Sequence, residues 1–238
     1  MLSRVLFFGA TEIEHGEKAT LKRTESSTRR QIETLQNIVS RKGSSKVLTF
    51  SVPHIFKALQ LLHKDQYVSR ASFCNHLHMG EGAVKTMIMH LKEESVADST
   101  KSGTFLTSKG KNFIKNLLDI ISAECEIKKC VIARGKFNFA VILKKYAFAT
   151  KSGVEQRDYS ILYGAIGATT LLYKDKQFVF PNENTDCLLD DLKTRNVLLN
   201  SLRPENGDMI IIASANDPFV AEIAAKNSAL WTLATHSR

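Results

Sequence analysis

No run of apolar side chains in this sequence approaches the roughly 18 that a membrane-spanning helix needs, and the short "VLFFGA" near the start meets Glu12 and Glu14 too soon for a secretory signal. A soluble, cytoplasmic protein is expected. Cysteine is scarce: Cys74, Cys125, Cys130 and Cys187 show no CxxC spacing. This argues against a zinc site and a lasting disulfide, and for reduced, partly buried thiols. Also missing are a glycine-rich phosphate loop, a GxSxG elbow, an HExxH helix and any clear Ser/His/Asp or Cys/His set. Neither enzymatic activity nor a cofactor is therefore expected. His76, His78 and His90 have no carboxylate or cysteine at useful spacing and are assigned no role.

Acidic residues are in the minority, 24 against 33 basic ones, for a formal net charge of +9 over 238 residues. An excess of this size favours an anionic partner, nucleic acid first and an acidic membrane surface second. Basic and acidic residues number eight and five over 1–45, ten and five over 46–115, none and three over 116–127, and fifteen and eleven over 128–238. The second of these segments is the most basic per residue. With 43% apolar residues the chain can bury a real core, and two compact units are the better expectation for its length.

Residues 1–45 read as a basic, polar extension carrying one short helix, with Ile32, Leu35, Ile38 and Val39 on one face, ended by the linker-like "RKGSSK". Residues 46–123 read as four helices and a hairpin. In the first helix, "VPHIFKALQLLHK", Pro53 stands near the start and Ile55, Phe56, Leu59 and Leu62 share a face. Ser69 caps the second, with Val68 and Phe73 at the two positions of a hydrophobic staple. Gly80 precedes the third, in which Val84, Met87, Ile88 and Leu91 form an i, i+3, i+4, i+7 stripe. The outer side keeps Gly82, Lys85, Thr86, Met89 and Lys92. "VADST" and "TFLT" then alternate as strands around Lys101-Ser102-Gly103, and a fourth helix, "KGKNFIKNLLDIISAE", presents Phe113, Leu117, Ile120 and Ile121.

Helix, helix, turn, helix, hairpin, helix is the order of a winged helix-turn-helix. The wording "GEGAVKTMIMHLK…ADSTKSGTFLTSKGK" resembles the winged-helix domains of prokaryotic transcription regulators, broadly of the MarR and ArsR type. From about Ser51 onward, with "SGVEQRDYSILYGAIGATTLLY" and "IIASANDPFVAEIAAKNSA", the chain resembles an archaeal family that joins such a domain to a C-terminal domain of unknown function. The resemblance implies an architecture and a class, but no ligand and no catalytic residue.

In a helix-turn-helix, exposed residues at the N-terminal half of the second helix meet base edges while phosphate contacts set the register. Here these are Gly82, Lys85, Thr86 and Met89, with Arg70, Lys101, Ser102 and Lys109 as phosphate binders and Lys111 extending the track. Any one lysine on a helix is as often merely solvated; the set is more telling than its members. The acidic, amphipathic 116–127 is expected to continue the fourth helix as a homodimer arm or an interdomain strut.

Residues 124–238 read as a small α/β domain that senses an effector or dimerises, so that the fold class expected overall is α+β. "IKKCVIARG" reads as a strand, "FNFAVILKKYA" as helix-like, "SGVEQRDYSILYGAIG" as a helix, "ATTLLYKDKQFVFP" as a hairpin, and "DMIIIASA" and "DPFVAEIAAKNSALWTLA" as a strand and a helix. Two places are candidates for a small anionic effector: Arg157 with Gly164 and Gly167, and the strand-to-helix junction at Ser214, Asn216 and Asp217. The bland alternatives are a local ion pair for Arg157, a helix cap for Asp217 and helix ends for the glycines. The leading expectation is a transcription regulator binding double-stranded DNA as a homodimer, with no membrane partner. A protein-interaction adaptor, or an enzyme acting on a small anionic metabolite, are the alternatives.

Overall fold

The computed structural model describes residues 30–40 and 48–236. Most of the expected N-terminal extension and its linker lie outside the described residues. Helix α1 covers 30–38 and is followed by α2 (Val52–Lys64), α3 (Arg70–Leu77), α4 (Glu81–Glu93), the strands β1 (Ala97–Thr100) and β2 (Gly103–Leu106), and α5 (Ser108–Leu118). Ile32, Leu35 and Ile38 of α1 are buried, and buried His90 of α4 bonds the Ile38 carbonyl at 2.6 Å. A carbonyl only accepts, so His90 Nδ1 carries the proton. The stripe Val84, Met87, Ile88 and Leu91 is buried as its spacing requires, packing α4 onto α2 and α3.

β1 and β2 form a two-stranded antiparallel hairpin turning at Lys101-Ser102. The hairpin is pinned from behind. Val68 exchanges two backbone hydrogen bonds with Thr104, at 2.8 and 2.9 Å, which fixes the chain entering α3 beside β2. Gly103 makes this close approach possible: its φ is +132° and a Cβ there would lie 2.9 Å from the Val68 carbonyl oxygen.

The fourth helix stops sooner than its apolar pattern suggests. α5 ends at Leu118, and Ile121 opens β3 (Ile121–Ile127), so the acidic 116–127 is mainly strand and forms no helical arm. The adjacent β-branched Ile120 and Ile121 gain more from pairing with the next strand than from a further helical turn. Lys144 N bonds the Ile120 carbonyl at 2.9 Å, and the pairing continues along β3. β3 also runs across the boundary expected at 123.

The remaining elements are β4 (Phe137–Leu143), α6 (Val154–Ile161), β5 (Gly167–Lys174), β6 (Gln177–Val179), α7 (Leu192–Leu202), β7 (Asp208–Ala215) and α8 (Pro218–His236). The sheet order is β3-β4-β7-β5-β6, and every neighbouring pair is antiparallel. The C-terminal part is thus an antiparallel sheet with helices, a correction to the α/β expectation, and the chain as a whole is α+β. The cause of the misreading is visible in β7, which is buried along its whole length. Ile210 and Ile212 face the cluster around α7, whereas Met209, Ile211 and Ala213 face the cluster that includes α8. Burial on both faces erases the alternation that marks a one-sided antiparallel strand and leaves a run typical of parallel sheets. The same double burial made β4 read as helix-like. "IKKCVIARG" is the end of β3 followed by the loop to β4 rather than a strand of its own.

A single apolar cluster runs from α1, α2 and α4 through β4 and β7 to α8. A charged core lies inside this junction. Lys226 of α8, only 1% exposed, bonds Glu124 of β3 at 2.9 Å, Glu222 at 2.8 Å and Gln60 of α2, while Lys57 of α2 also pairs with Glu222. Phe56 and Phe139 lie on either side of the ammonium, with ring centroids 5.9 and 5.8 Å away. Burial alone would push the Glu222 carboxyl up. The Lys226 charge and the hydrogen bonds from Lys226 and Lys57 outweigh it and hold Glu222 below the usual carboxylate range.

Among the described residues no helix is long and apolar enough to cross a membrane.

Candidate nucleic-acid interface

α4 and the hairpin enclose a cleft of about 600 Å³ whose wall includes Arg70, Lys85, Met89, Lys92, Lys101 and Ser102. Three local choices bring these together. The α4 stripe buries Val84, Met87, Ile88 and Leu91 and so turns Lys85, Met89 and Lys92 outward. Ser69 caps α3 by accepting from Ser72 N at 3.1 Å, which places Arg70 at the first helical position. The Val68–Thr104 pairing then sets Arg70 beside the hairpin. At the tip, Ser102 N donates to Thr100 Oγ1 at 3.2 Å, which orders Lys101 and Ser102.

Five of the eight sequence candidates, Arg70, Lys85, Met89, Lys101 and Ser102, therefore line one cleft. Gly82 and Thr86 stand one turn apart on α4; Gly82 is exposed with no atom within 4 Å of a Cβ position, and Thr86 is half-buried and returns its hydroxyl to the Gly82 carbonyl at 3.0 Å. Lys109 points elsewhere. Its ammonium donates to the Glu94 carbonyl at 2.7 Å and caps the end of α4, where a cation suits the helix dipole. Lys111 lines a different cleft, with Lys64 and Lys115. Lys92 is the residue the candidate set lacked. The sequence places it on the outer side of the helix, seven residues after Lys85, and it forms an exposed 2.8 Å pair with Asp98 that offsets part of its charge.

The two effector segments adjoin through the backbone, where Gly167 pairs with Ser214 and Ile166 N bonds the Ser214 carbonyl at 2.9 Å, but their candidate side chains have separate partners. Arg157 is exposed and pairs with its neighbour Asp158 at 3.2 Å. Ser214 is buried and donates to Asn138 Oδ1 at 2.6 Å. Asp217 accepts from Val220 N at 3.0 Å and caps α8. These three side chains share no contact. Gly164, at φ +84°, makes the turn after α6 against Val220, whereas Gly167 opens β5 with free space at its Cβ position, so packing does not require a glycine there. Asn216 is exposed beside them. The thiols are equally quiet: burial pushes Cys125 up to about 11 and, helped by Asp186, Cys187 up to about 12, so both stay protonated at neutral pH. Among the described residues no three His, Cys, Asp or Glu side chains gather as a metal site would require.

α8 also reaches the turn before α4. Phe219 stacks on His78 with centroids 4.2 Å apart and planes 11° from parallel, with His54 at 5.9 Å and Lys57 over the ring at 4.9 Å. His78 has a left-handed backbone at the end of α3 and stands two residues before Gly80, the cap of α4. The start of α8 is thus in contact with the turn that aims α4.

Residues 134–233 match a domain of unknown function (DUF4443). A solved structure of a hypothetical protein from Pyrococcus horikoshii OT3 is similar to this chain, with 25% identity and a TM-score of 0.64 over 79% of this chain and 96% of that one. A likeness over that share of the chain extends well beyond 134–233. No curated protein matches the chain.

Proposed function

We propose that residues 46–123 act as a winged helix-turn-helix that binds double-stranded DNA, with α4 in the major groove and the β1–β2 hairpin as the wing beside the backbone. One observation carries this reading: Arg70, Lys85, Lys92 and Lys101 come from three separate elements and line a single cleft whose wall holds one acidic residue, Glu93. Lys85 would address a guanine edge, and Met89 would touch a thymine methyl. Arg70, Lys101 and Ser102 would hold phosphates. The antiparallel domain behind it would regulate or pair two such readers as a homodimer, since half-sites one helical turn apart suit a two-fold protein.

Fluorescence polarisation with duplex DNA from the protein's own promoter, over a salt series, tests the reading. Lys101→Ala should weaken binding and reduce the log–log salt slope by about 0.9 for the phosphate that is no longer neutralised, whereas Lys85→Ala should weaken binding and relax the preference at one base pair. Affinity and slope that stay unchanged in both variants would refute the cleft as the DNA face. A small anionic effector remains proposed for the C-terminal domain; the separation of Arg157 from Ser214 and Asp217 gives it no common pocket, and thermal shift with anionic metabolites is the measurement that would reveal one.

A further inference from the structure

Residues 128–238 hold fifteen basic and eleven acidic residues, and eleven of each remain once 128–136 is set aside. The whole charge excess of the C-terminal part therefore sits in one nine-residue loop between β3 and β4, as Lys128, Lys129, Arg134 and Lys136 with no acidic residue among them. All four are exposed, and none has an ion-pair partner among the described residues. Four like charges in so short a span repel one another, and the carboxylate beside them is Glu126, which lines the same notch as Lys128 and Lys136 and offsets a fraction of the charge.

The loop is held in shape. Cys130 and Ala133 exchange backbone hydrogen bonds at 2.9 and 3.3 Å, and Thr169 Oγ1 anchors the Ile132 carbonyl at 2.7 Å. Buried Asn138 uses all of its capacity here: its amide donates to the carbonyls of Gly135 and Ile127, and its oxygen accepts from Gly135 N and from Ser214. Gly135 is required, because a Cβ there would lie 2.8 Å from that of Ser214. Ser214 thus supports this loop rather than facing a ligand. An ordered loop loses little conformational entropy when it meets a partner, which favours a binding role for its cations over a solvated tail.

Its position links it to α4. Lys128 and Lys136 flank a notch of about 320 Å³ whose other wall includes Pro218 and Ala221 of α8. The intervening Phe219 stacks on His78, at the turn before α4. The notch therefore adjoins the part of α8 whose Phe219 touches the turn before α4.

We propose that the β3–β4 loop is a second DNA-backbone contact, in which Lys128, Lys129, Arg134 and Lys136 bind phosphates outside the segment read by α4. This rests on the duplex-binding reading above. The full chain with all four residues changed to Ala should keep its folded stability, because they anchor nothing in the core. On a long promoter duplex, affinity should fall on the order of tenfold and the salt slope by about 3, from 0.9 per phosphate for three to four phosphates. On a duplex trimmed to the α4 segment, neither should change. A variant with Lys128, Lys129 and Lys136 changed to Arg should behave as the wild type on both. An unchanged slope on the long duplex, while Lys101→Ala still lowers it, overturns the loop contact and leaves the α4 reading intact. Abolished binding to phosphatidylglycerol vesicles with unaltered DNA binding overturns it in favour of a membrane surface. A wild-type chain with no salt-sensitive DNA binding overturns both.

Discussion

Replacing Lys226 by Met removes the cation from the charged core while keeping the volume of the side chain between Phe56 and Phe139. Glu124 and Glu222 then remain without their common partner. Breaking a buried pair from one side costs about 3–5 kcal/mol. Two features lower the expectation: the Glu124 side chain is 29% exposed, and Glu222 keeps Lys57. A destabilisation of about 2–3 kcal/mol follows, or about 0.7–1 M in the urea midpoint at a slope near 3 kcal/mol/M. The pH dependence carries a second signature. Glu222 is held below its ordinary value of 4.5, so in the wild type its contribution is present above that value and fades as the pH falls through the lowered one. Without Lys226 the burial of Glu222 prevails and its carboxyl moves upward. The stability gap between the two proteins should be widest near neutral pH and narrow below about pH 4.5. Adding Glu222→Gln and Glu124→Gln to the variant should recover most of the stability. Urea titrations by circular dichroism at several pH values measure all of this. A gap under about 0.5 kcal/mol, or one independent of pH, would show that solvent screens the network and that it does not hold α2, β3 and α8 together.

Two further stability effects should follow from local geometry. A Cβ at Gly110 would lie 1.9 Å from the Val96 carbonyl oxygen, so Gly110→Ala should destabilise by about 3 kcal/mol, the upper end of overpacking costs, read as a lowered thermal midpoint. A wild-type midpoint would mean that α5 is free to shift away from the hairpin. Asp208 is buried and accepts from Lys144 Nζ at 2.9 Å, Lys145 N at 2.9 Å and Glu205 N at 2.8 Å. Asp208→Ala leaves two amides unanswered and the Lys144 ammonium with the Arg203 carbonyl alone, and should cost about 3 kcal/mol in chemical denaturation. A cost below about 1 kcal/mol would show that water replaces the carboxylate.

Where one face of an element meets solvent, its period survives in the sequence. The α4 stripe and the outward Lys85 and Met89 were legible for that reason, as was the hairpin turn at Lys101-Ser102. β4 and β7 are buried on both faces, so their pattern carried no period and they read as helix-like or as parallel-sheet strands. The end of α5 was hidden because Ile120 and Ile121 fit either a helical face or a strand, and only the long-range pairing with β4 decides between them. The use of Lys109 on the end of α4 and of Ser214 on Asn138 depends on residues 15 and 76 positions away, beyond the reach of any local spacing rule. Ligand-like residue types at a strand end were thus spent on holding the chain.

The continuous core from α1 to α8, with Lys226 at its centre, leaves no hinge among the described residues between the front and back of a protomer. If a small molecule controls this protein, it has no internal joint there to open or close. Bending α4 away from the sheet would require dissolving packed aliphatic side chains and stranding charges together. If two copies pair as proposed, control would act on how they sit relative to one another, so that the quantity an effector would change is the distance between their α4 helices and not the shape of either copy.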